Sequence, residues 1–234
     1  MSIKENIELI NKQIEDAADK VGRDKDEIKL IAVTKLHTPD EINEAIEAGI
    51  TDIAENKVQE ILNKYEAVKP IRWHLIGHLQ TNKVKYIIDK VTMIHSVDSL
   101  KLAKEIDKRA CANGKIMDIL LQVNSAEEES KFGIASADVD ALIDDILREC
   151  SSVRIKGLMC IAPYTENIDE CRPYFAEVKE IFDRYRCDDR EMLEFEYLSM
   201  GMSNDFSVAI EEGSNMVRVG TAIFGLRNYR QEEK

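Results

Sequence analysis

The sequence predicts a (β/α)₈ TIM barrel, and three observations lead to this fold class. Eight short strand-like runs alternate with stretches of helical periodicity, the order expected when helices join parallel strands. The length of 234 residues suits one such barrel. No low-complexity tract or long Pro/Gly linker divides the chain, so we predict a single domain over residues 1–234.

The elements follow in a regular order. An extra N-terminal helix is predicted first, because apolar residues recur at helical spacing from Ile3 to Val21. The helix after the first strand has a strong start signal, with Thr38 as N-cap, Pro39 in the first turn and Glu41 three residues after the cap. The alternative is an open doubly wound sheet, but no GxGxxG follows the first strand. The eight predicted strands are Lys29–Thr34, Thr51–Ala54, Arg72–Ile76, Thr92–His95, Met117–Val123, Arg154–Met159, Phe195–Leu198 and Asn215–Val219.

Composition and charge exclude several classes of protein. A net charge of −13 argues against nucleic-acid binding, which requires a basic face. The five cysteines are odd in number and lack CxxC spacing, so we predict a reducing cytoplasmic location and no metal site. Residues 1–25 are charged and helical in pattern, so no signal peptide is expected. No apolar run reaches membrane-spanning length.

Polar residues mark the predicted strand ends. Function in a barrel gathers where the strands run into the following loops, so these side chains are expected to face one mouth. An acidic run at residues 127–129 and Lys131 are instead predicted to be solvated. The strand-end series is Lys35, Asn56, His74, Ser96, Asn124, Met159, Ser199 and Arg218.

The last predicted strand combines a cation with a turn suited to an anion. Arg218 lies between two valines, and a charge there is costly to bury without a partner. Gly220 and Thr221 follow, and barrels often bind phosphate with the loops after strands seven and eight. Ser203, after the seventh strand, is suited either to donating its hydroxyl to phosphate or to capping a helix. For Arg218 the alternative is a structural ion pair with a carboxylate.

Lys35 ends the first predicted strand. In an apolar mouth near Arg218, desolvation and the neighbouring cation would lower its pKa, and a neutral amine can form a Schiff base with an aldehyde. The alternative is a lysine whose ammonium group extends to solvent. The residues alone leave both open, together with a sugar-phosphate aldolase that uses the same amine.

Six blocks of sequence, in order along nearly the whole chain, resemble the pyridoxal phosphate homeostasis proteins. These blocks cover residues 31–35, 55–56, 73–83, 157–159, 198–203 and 218–225. The resemblance implies the barrel of the alanine racemase N-terminal domain (fold type III) and the cofactor pyridoxal 5′-phosphate. It also implies no established enzymatic activity, and a role in intracellular pyridoxal phosphate, vitamin B6 and amino-acid homeostasis.

Residue roles follow from the same resemblance. Lys35 is expected to carry the cofactor as an aldimine, and Asn56 to line its pocket. Ser203, Gly220 and Thr221 are expected to hold the phosphate, and Arg218 to face the pyridine nitrogen. Amino acids and apo-enzymes that accept pyridoxal phosphate are the candidate partners besides the cofactor.

An amino-acid racemase of low activity is the main alternative. The racemase pattern places a tyrosine where this chain has Pro39. The sequence also ends at Lys234, a few residues after the last strand, so the C-terminal β domain of alanine racemases is not expected. For the same reason we expect a monomer.

Overall fold

A computed structural model describes residues 1–126 and 132–225 of the chain. Eight parallel strands close into a barrel in chain order, and the last strand pairs with the first. This confirms the predicted fold class. The strands are β1 (Lys29–Val33), β2 (Asp52–Glu55), β3 (Arg72–Leu75), β4 (Met93–Val97), β5 (Met117–Val123), β6 (Val153–Cys160), β7 (Leu193–Met202) and β8 (Met216–Val219).

All eight predicted strands are present, with shifts at their ends. β5 has the predicted bounds, whereas β7 extends beyond the predicted run on both sides. The early part of β7 alternates between buried and exposed residues, and its outward Glu194 accepts a hydrogen bond from Lys156 at 2.8 Å. Charged residues on the outer face therefore interrupt the apolar pattern from which the strand was predicted, although the strand itself continues.

Helices surround the barrel. Their bounds are α1 (Ile3–Lys20), α2 (Pro39–Glu47), α3 (Val58–Lys64), α4 (Leu100–Ala112), α5 (Val139–Glu149), α6 (Arg172–Tyr185), α7 (Phe206–Glu211) and α8 (Thr221–Phe224). A 3₁₀ helix, Thr81–Tyr86, lies between β3 and β4. The predicted start of α2 is confirmed, because Thr38 and Glu41 form a capping box with Pro39 in the first turn.

The N-terminal helix α1 lies outside the alternation of strands and helices, as predicted. Its buried face consists of Ile7, Ile10, Ile14 and Ala17, which are spaced at helical intervals. The helix packs against α2, α7 and α8. It therefore covers the outer layer next to the strands that begin and end the barrel.

Two apolar cores hold the fold together. The larger core lies between the strands and the surrounding helices, and the smaller one fills the inside of the barrel. The barrel is thus a packed structure whose open space is confined to its ends. The inner core comprises Ile31, Ala54, Met93, Leu120, Met159 and Met216.

Other predictions concern single residues and segments. None of the five cysteines, all of which the structure describes, forms a disulfide with another, and Cys150, Cys160 and Cys171 are buried. In the part of the chain that the structure describes, no helix is both long and apolar enough to cross a membrane. The acidic run at residues 127–129 and Lys131 lie outside the described residues.

Candidate functional site

A cavity of about 410 Å³ opens where the barrel strands end. Its wall is built from residues at or after the ends of β1, β2, β3, β6 and β7, from β8 itself, and from the turn after β8. The carboxyl ends of parallel strands meet at one end of a barrel, which is why distant segments of the chain converge here. The six residues predicted to bind a cofactor all line this cavity: Lys35, Asn56, Ser203, Arg218, Gly220 and Thr221.

The prediction that eight strand-end residues share one mouth is wrong for four of them, which are buried within their strands. Lys35, Asn56 and Arg218 line the cavity, whereas the other five do not. The reason is the position of the strand ends. β3, β4, β6 and β7 continue past the residues assigned as their ends, so four of the five side chains are buried within strands. The fifth, Asn124, follows β5 as predicted, and its backbone N–H donates to the carbonyl of Ile134 at 2.8 Å. The five residues are His74, Ser96, Asn124, Met159 and Ser199.

Lys35 lies two residues after the end of β1, and hydrogen bonds hold the backbone on both sides of it. Lys64 Nζ donates to the carbonyl of Thr34 at 2.9 Å, and the N–H of Leu36 donates to Glu60 Oε2 at 2.6 Å. Leu36 has φ 67°, a left-handed conformation that is uncommon for a residue with a side chain. Such a conformation persists where the surroundings enforce it. These two bonds therefore fix the direction in which the Lys35 side chain leaves the strand.

The charged groups behind Lys35 form a buried cluster. Glu55 Oε1 accepts hydrogen bonds from Lys64 Nζ and Thr34 Oγ1, both at 2.7 Å. Glu55 Oε2 has no partner among the described residues. Burial raises the pKa of Glu55 against the opposing effect of Lys64. Burial acts in the same direction on Glu60, but the N–H of Leu36 and the ammonium of Lys64 outweigh it and hold the pKa of Glu60 below its usual value.

Asn56 follows β2, and its backbone packs against Gly77. A Cβ atom at Gly77 would lie 2.2 Å from the carbonyl oxygen of Asn56, so only glycine fits there. Ser96 Oγ donates to the carbonyl of Gly77 at 2.7 Å, which holds this loop in place. The side-chain Oδ1 of Asn56 is shielded from solvent and has no hydrogen-bond partner among the described residues. A buried acceptor without a partner indicates a position for a donor on a ligand.

Ser203 joins the loop after β7 to the turn after β8. Its Oγ accepts a hydrogen bond from the backbone N–H of Gly220 at 3.3 Å. The alternative role for Ser203, capping a helix, is wrong, because α7 begins at Phe206 and Asp205 is its N-cap. The two loops expected to hold phosphate are therefore hydrogen-bonded to each other at the cavity wall.

Arg218 is a buried cation whose partners are neutral. It is 3% exposed; NH1 donates to the carbonyl and Oγ of Ser199, and NH2 donates to the carbonyl of Cys160. No carboxylate in the described parts of the chain forms an ion pair with it, which removes the predicted alternative there. Burial lowers the pKa of Arg218, but a guanidinium keeps its proton in proteins. Of its five N–H groups, the Nε–H and one on NH2 have no acceptor among the described residues.

Several residues of the site were not predicted from sequence. Glu60 and Lys64 are spaced four apart on α3, the spacing of a helical ion pair, but that signal does not reveal their contact with the Lys35 backbone. His37 lines the cavity and stacks on Phe224, with ring centres 4.4 Å apart. Tyr164 also lines it and is 84% exposed. The i, i+4 pair of His74 and His78 does not act together, because His74 is buried in the barrel and His78 stacks on Phe132.

Comparison with known proteins gives the family. Residues 3–228 match the model of the alanine racemase N-terminal domain. The chain is 43% identical to the pyridoxal phosphate homeostasis protein of Aquifex aeolicus, over 98% of this chain and 100% of that protein. The corresponding protein of Escherichia coli is 34% identical over 98% of this chain and 99% of its own length. The chain belongs to the pyridoxal phosphate homeostasis protein family. The resemblance predicted from the sequence blocks is thereby confirmed.

Solved structures agree with this assignment. PipY of Synechococcus elongatus, with pyridoxal phosphate bound, is 33% identical, covers 91% of this chain and 100% of its own, and has a TM-score of 0.77. Alanine racemase from Clostridium difficile has a TM-score of 0.69 at 13% identity, and 58% of its chain is covered. The second comparison supports the barrel fold alone.

Proposed function

We propose that this chain binds pyridoxal 5′-phosphate covalently at Lys35, and that it holds and releases the cofactor in cellular pyridoxal phosphate and amino-acid homeostasis. One observation carries the proposal. A primary amine, the amide oxygen of Asn56 and the guanidinium of Arg218 surround one cavity. Among the described residues, the amide oxygen has no hydrogen-bond partner and the guanidinium has no carboxylate partner. Small-molecule sites have volumes of roughly 300–1,000 Å³, and this cavity falls within that range.

The phosphate end of the cofactor fits the wall formed by Ser203, Gly220 and Thr221. Because Ser203 Oγ accepts from the N–H of Gly220, its hydroxyl hydrogen is free to point at an anion. A Cβ atom at Gly220 would lie 3.1 Å from the carbonyl oxygen of Val33, so glycine allows this turn to pass close to β1. Asp205 also lines the cavity, and its Oδ1 accepts a hydrogen bond from the backbone N–H of Met202 at 2.6 Å.

The ring end fits Arg218. Bound pyridoxal phosphate supplies an aldehyde for attachment to an amine and a ring that withdraws electrons. A guanidinium donates hydrogen bonds but does not accept them, so Arg218 favours a ring nitrogen without a proton. An unprotonated ring withdraws electrons less strongly than a protonated one. Arg218 in this position therefore supports binding of the cofactor and limits carbanion chemistry on it.

Lys35 is the residue proposed to attach to the aldehyde. Its amine would condense with the aldehyde carbon and release one water, which is the usual reaction of lysine with carbonyl compounds. The hydrogen bonds to the Thr34 carbonyl and from the Leu36 N–H fix the backbone on both sides of Lys35, and the backbone sets the direction of its side chain.

A binding titration tests the proposal. Purified protein and the Lys35→Ala, Ser203→Ala and Lys101→Ala variants would be titrated with pyridoxal phosphate and followed by visible absorption. Lys35→Ala should abolish the absorption band of the attached cofactor, and Ser203→Ala should weaken binding by about 1.5–3 kcal/mol. Lys101, which is exposed on α4, provides the matched control. Wild-type protein that takes up no pyridoxal phosphate would refute the function.

The racemase alternative is separated by its chemistry. A racemase needs a base on each face of the substrate and exchanges the α-hydrogen of amino acids with solvent. Incubation of the loaded protein with a single enantiomer in deuterated water should give neither racemisation nor exchange. Formation of the opposite enantiomer, at a rate that Lys35→Ala removes, would favour the racemase.

The finer aspects of function belong to the same proposal. We infer a monomeric protein of the cytoplasm with one cofactor-binding domain over residues 1–234. Amino acids and apo-enzymes that take up pyridoxal phosphate are its proposed partners. Light scattering of the purified chain measures the oligomeric state, and transfer of cofactor to an apo-enzyme measures the partner role.

A further inference from the structure

A continuous chain of hydrogen bonds runs from Arg218, at the cavity, to Asp52, the first residue of β2. Arg218 NH1 donates to Ser199 Oγ at 2.6 Å, and Ser199 Oγ lies 3.3 Å from His95 Nδ1. His95 Nε2 lies 2.9 Å from His74 Nδ1, and His74 Nε2 lies 3.0 Å from Asp52 Oδ1. All five side chains are buried, with relative exposures of 0–3%.

The chemistry of the two ends sets the direction of every bond between them. Arg218 can only donate, and an ionised Asp52 can only accept. His74 must therefore donate from Nε2 to Asp52 and accept at Nδ1, and His95 must donate from Nε2 to His74 and accept at Nδ1. The Ser199 hydroxyl therefore donates its hydrogen to His95 Nδ1. A lone pair on the same oxygen accepts the hydrogen bond from Arg218 NH1. When both imidazoles are neutral, this is the one arrangement of hydrogens that satisfies all four bonds.

The surroundings keep this arrangement in place. Asp52 also accepts from Arg72 Nε at 2.8 Å and from Arg72 NH2 at 2.7 Å. Burial alone would raise the pKa of Asp52, but the bonds from Arg72, His74 and Thr51 outweigh it and hold that pKa far below its usual value. Burial lowers the pKa of both His74 and His95. Both imidazoles are therefore neutral near pH 7, as the one-directional chain requires.

We propose that Asp52, His74, His95 and Ser199 are positioning residues, which orient the Ser199 hydroxyl as an acceptor and thereby hold Arg218 in a fixed orientation at the cavity. The carboxylate at one end of the chain of bonds thus acts together with the carbonyls of Ser199 and Cys160 to orient the guanidinium at the other end. The consequence for pyridoxal phosphate rests on the proposed function. The arrangement of hydrogens is a property of the chain itself.

The first test determines which ring nitrogens of His74 and His95 carry a proton. Nitrogen-15 NMR of histidine-labelled protein without cofactor, at pH 7, distinguishes the two neutral tautomers from the charged ring. The expected result is that His74 and His95 are both neutral, with the proton on Nε2, and His95→Gln assigns the signals. A proton on Nδ1 of His95, or a charged ring at either position, would overturn the proposal.

The second test compares two buried serines. Ser199→Ala breaks the chain, whereas Ser214→Ala removes an equally buried hydroxyl that bonds only to backbone groups. In cofactor-free protein, Ser199→Ala should shift the side-chain Nε signal of Arg218, and Ser214→Ala should leave it unchanged. Equal shifts in the two variants would contradict the positioning role.

Cofactor binding supplies a separate readout. Ser199→Ala should raise the Kd for pyridoxal phosphate about tenfold, equivalent to about 1.4 kcal/mol, with little change for Ser214→Ala. The same Kd in both variants would remove any link between the chain of bonds and binding. If the wild-type protein binds no pyridoxal phosphate, the proposed function fails, and the tautomers together with the Arg218 signal still decide the positioning role.

Discussion

Gly77→Ala is the substitution whose effect on the site can be worked out most fully from the geometry. The new methyl group would lie 2.2 Å from the carbonyl oxygen of Asn56, and distances below 3.0 Å do not occur for real Cβ atoms. The two loops must therefore separate by almost 1 Å, and Asn56 must shift relative to the cavity. A displacement of about 1 Å at a binding or reacting group can cost roughly a hundredfold. We expect the Kd for pyridoxal phosphate to rise at least about tenfold.

The same variant should also be less stable, so a matched control is needed. Overpacking costs about 1–3 kcal/mol of unfolding free energy. Gly114 follows α4 with φ 63° and has no atom within 4 Å of an added Cβ, so Gly114→Ala gives strain of about 1–2 kcal/mol away from the site. Urea unfolding and a spectroscopic titration would be run on both variants. If Gly77→Ala binds pyridoxal phosphate as tightly as Gly114→Ala does, the inferred role of the contact between Gly77 and Asn56 is wrong.

Two further predictions concern the buried charged and titratable groups. Because the pKa of His95 is depressed in the folded protein, the unfolded chain binds an extra proton below about pH 6.5, so stability falls as pH drops through that value. His95→Gln should reduce this slope by up to about 1.4 kcal/mol per pH unit, and equal slopes in urea unfolding at pH 5–7 would contradict the assignment. Lys64→Met should cost about 3–5 kcal/mol at pH 7, because Glu55 and Glu60 lose their cation. The loss should shrink as the pH falls, because burial favours protonation of both carboxyls once the Lys64 ammonium is removed. A pH-independent loss measured by urea unfolding would point to packing instead.

The barrel was predictable because local patterns repeat. Alternating strand and helix patterns and the capping box at Thr38 are encoded within short windows, and the structure follows them closely. The strand ends were less predictable. The sequence predicts that the seventh strand ends before Ser199, where a polar residue follows an apolar run. In the structure β7 continues to Met202, and Ser199 is buried inside the barrel. A shift of a few residues along a strand changes whether a side chain faces the cavity or the core.

The supporting contacts of the site were hidden from the sequence because they join distant segments. Lys64 reaches the carbonyl of Thr34, thirty positions away, and Ser199 bonds to His95 over a separation of 104 positions. Neither contact leaves a periodic signal. The six predicted cofactor residues that line the cavity were accessible from sequence blocks, whereas the residues that hold them in place follow from the closed barrel. This difference explains why the sequence predicts Lys35 and Arg218 as site residues but does not reveal the roles of Glu60 and Gly77.

Covalent attachment at Lys35 is the central claim, and reduction followed by mass spectrometry tests it most directly. The protein would be incubated with pyridoxal phosphate, reduced with borohydride, digested and mapped by peptide mass. We predict a single modified position, the lysine that follows Ile31-Ala32-Val33-Thr34, and no modification there after Lys35→Ala. A label on another lysine, or a loaded protein that carries no label after reduction, would contradict the account.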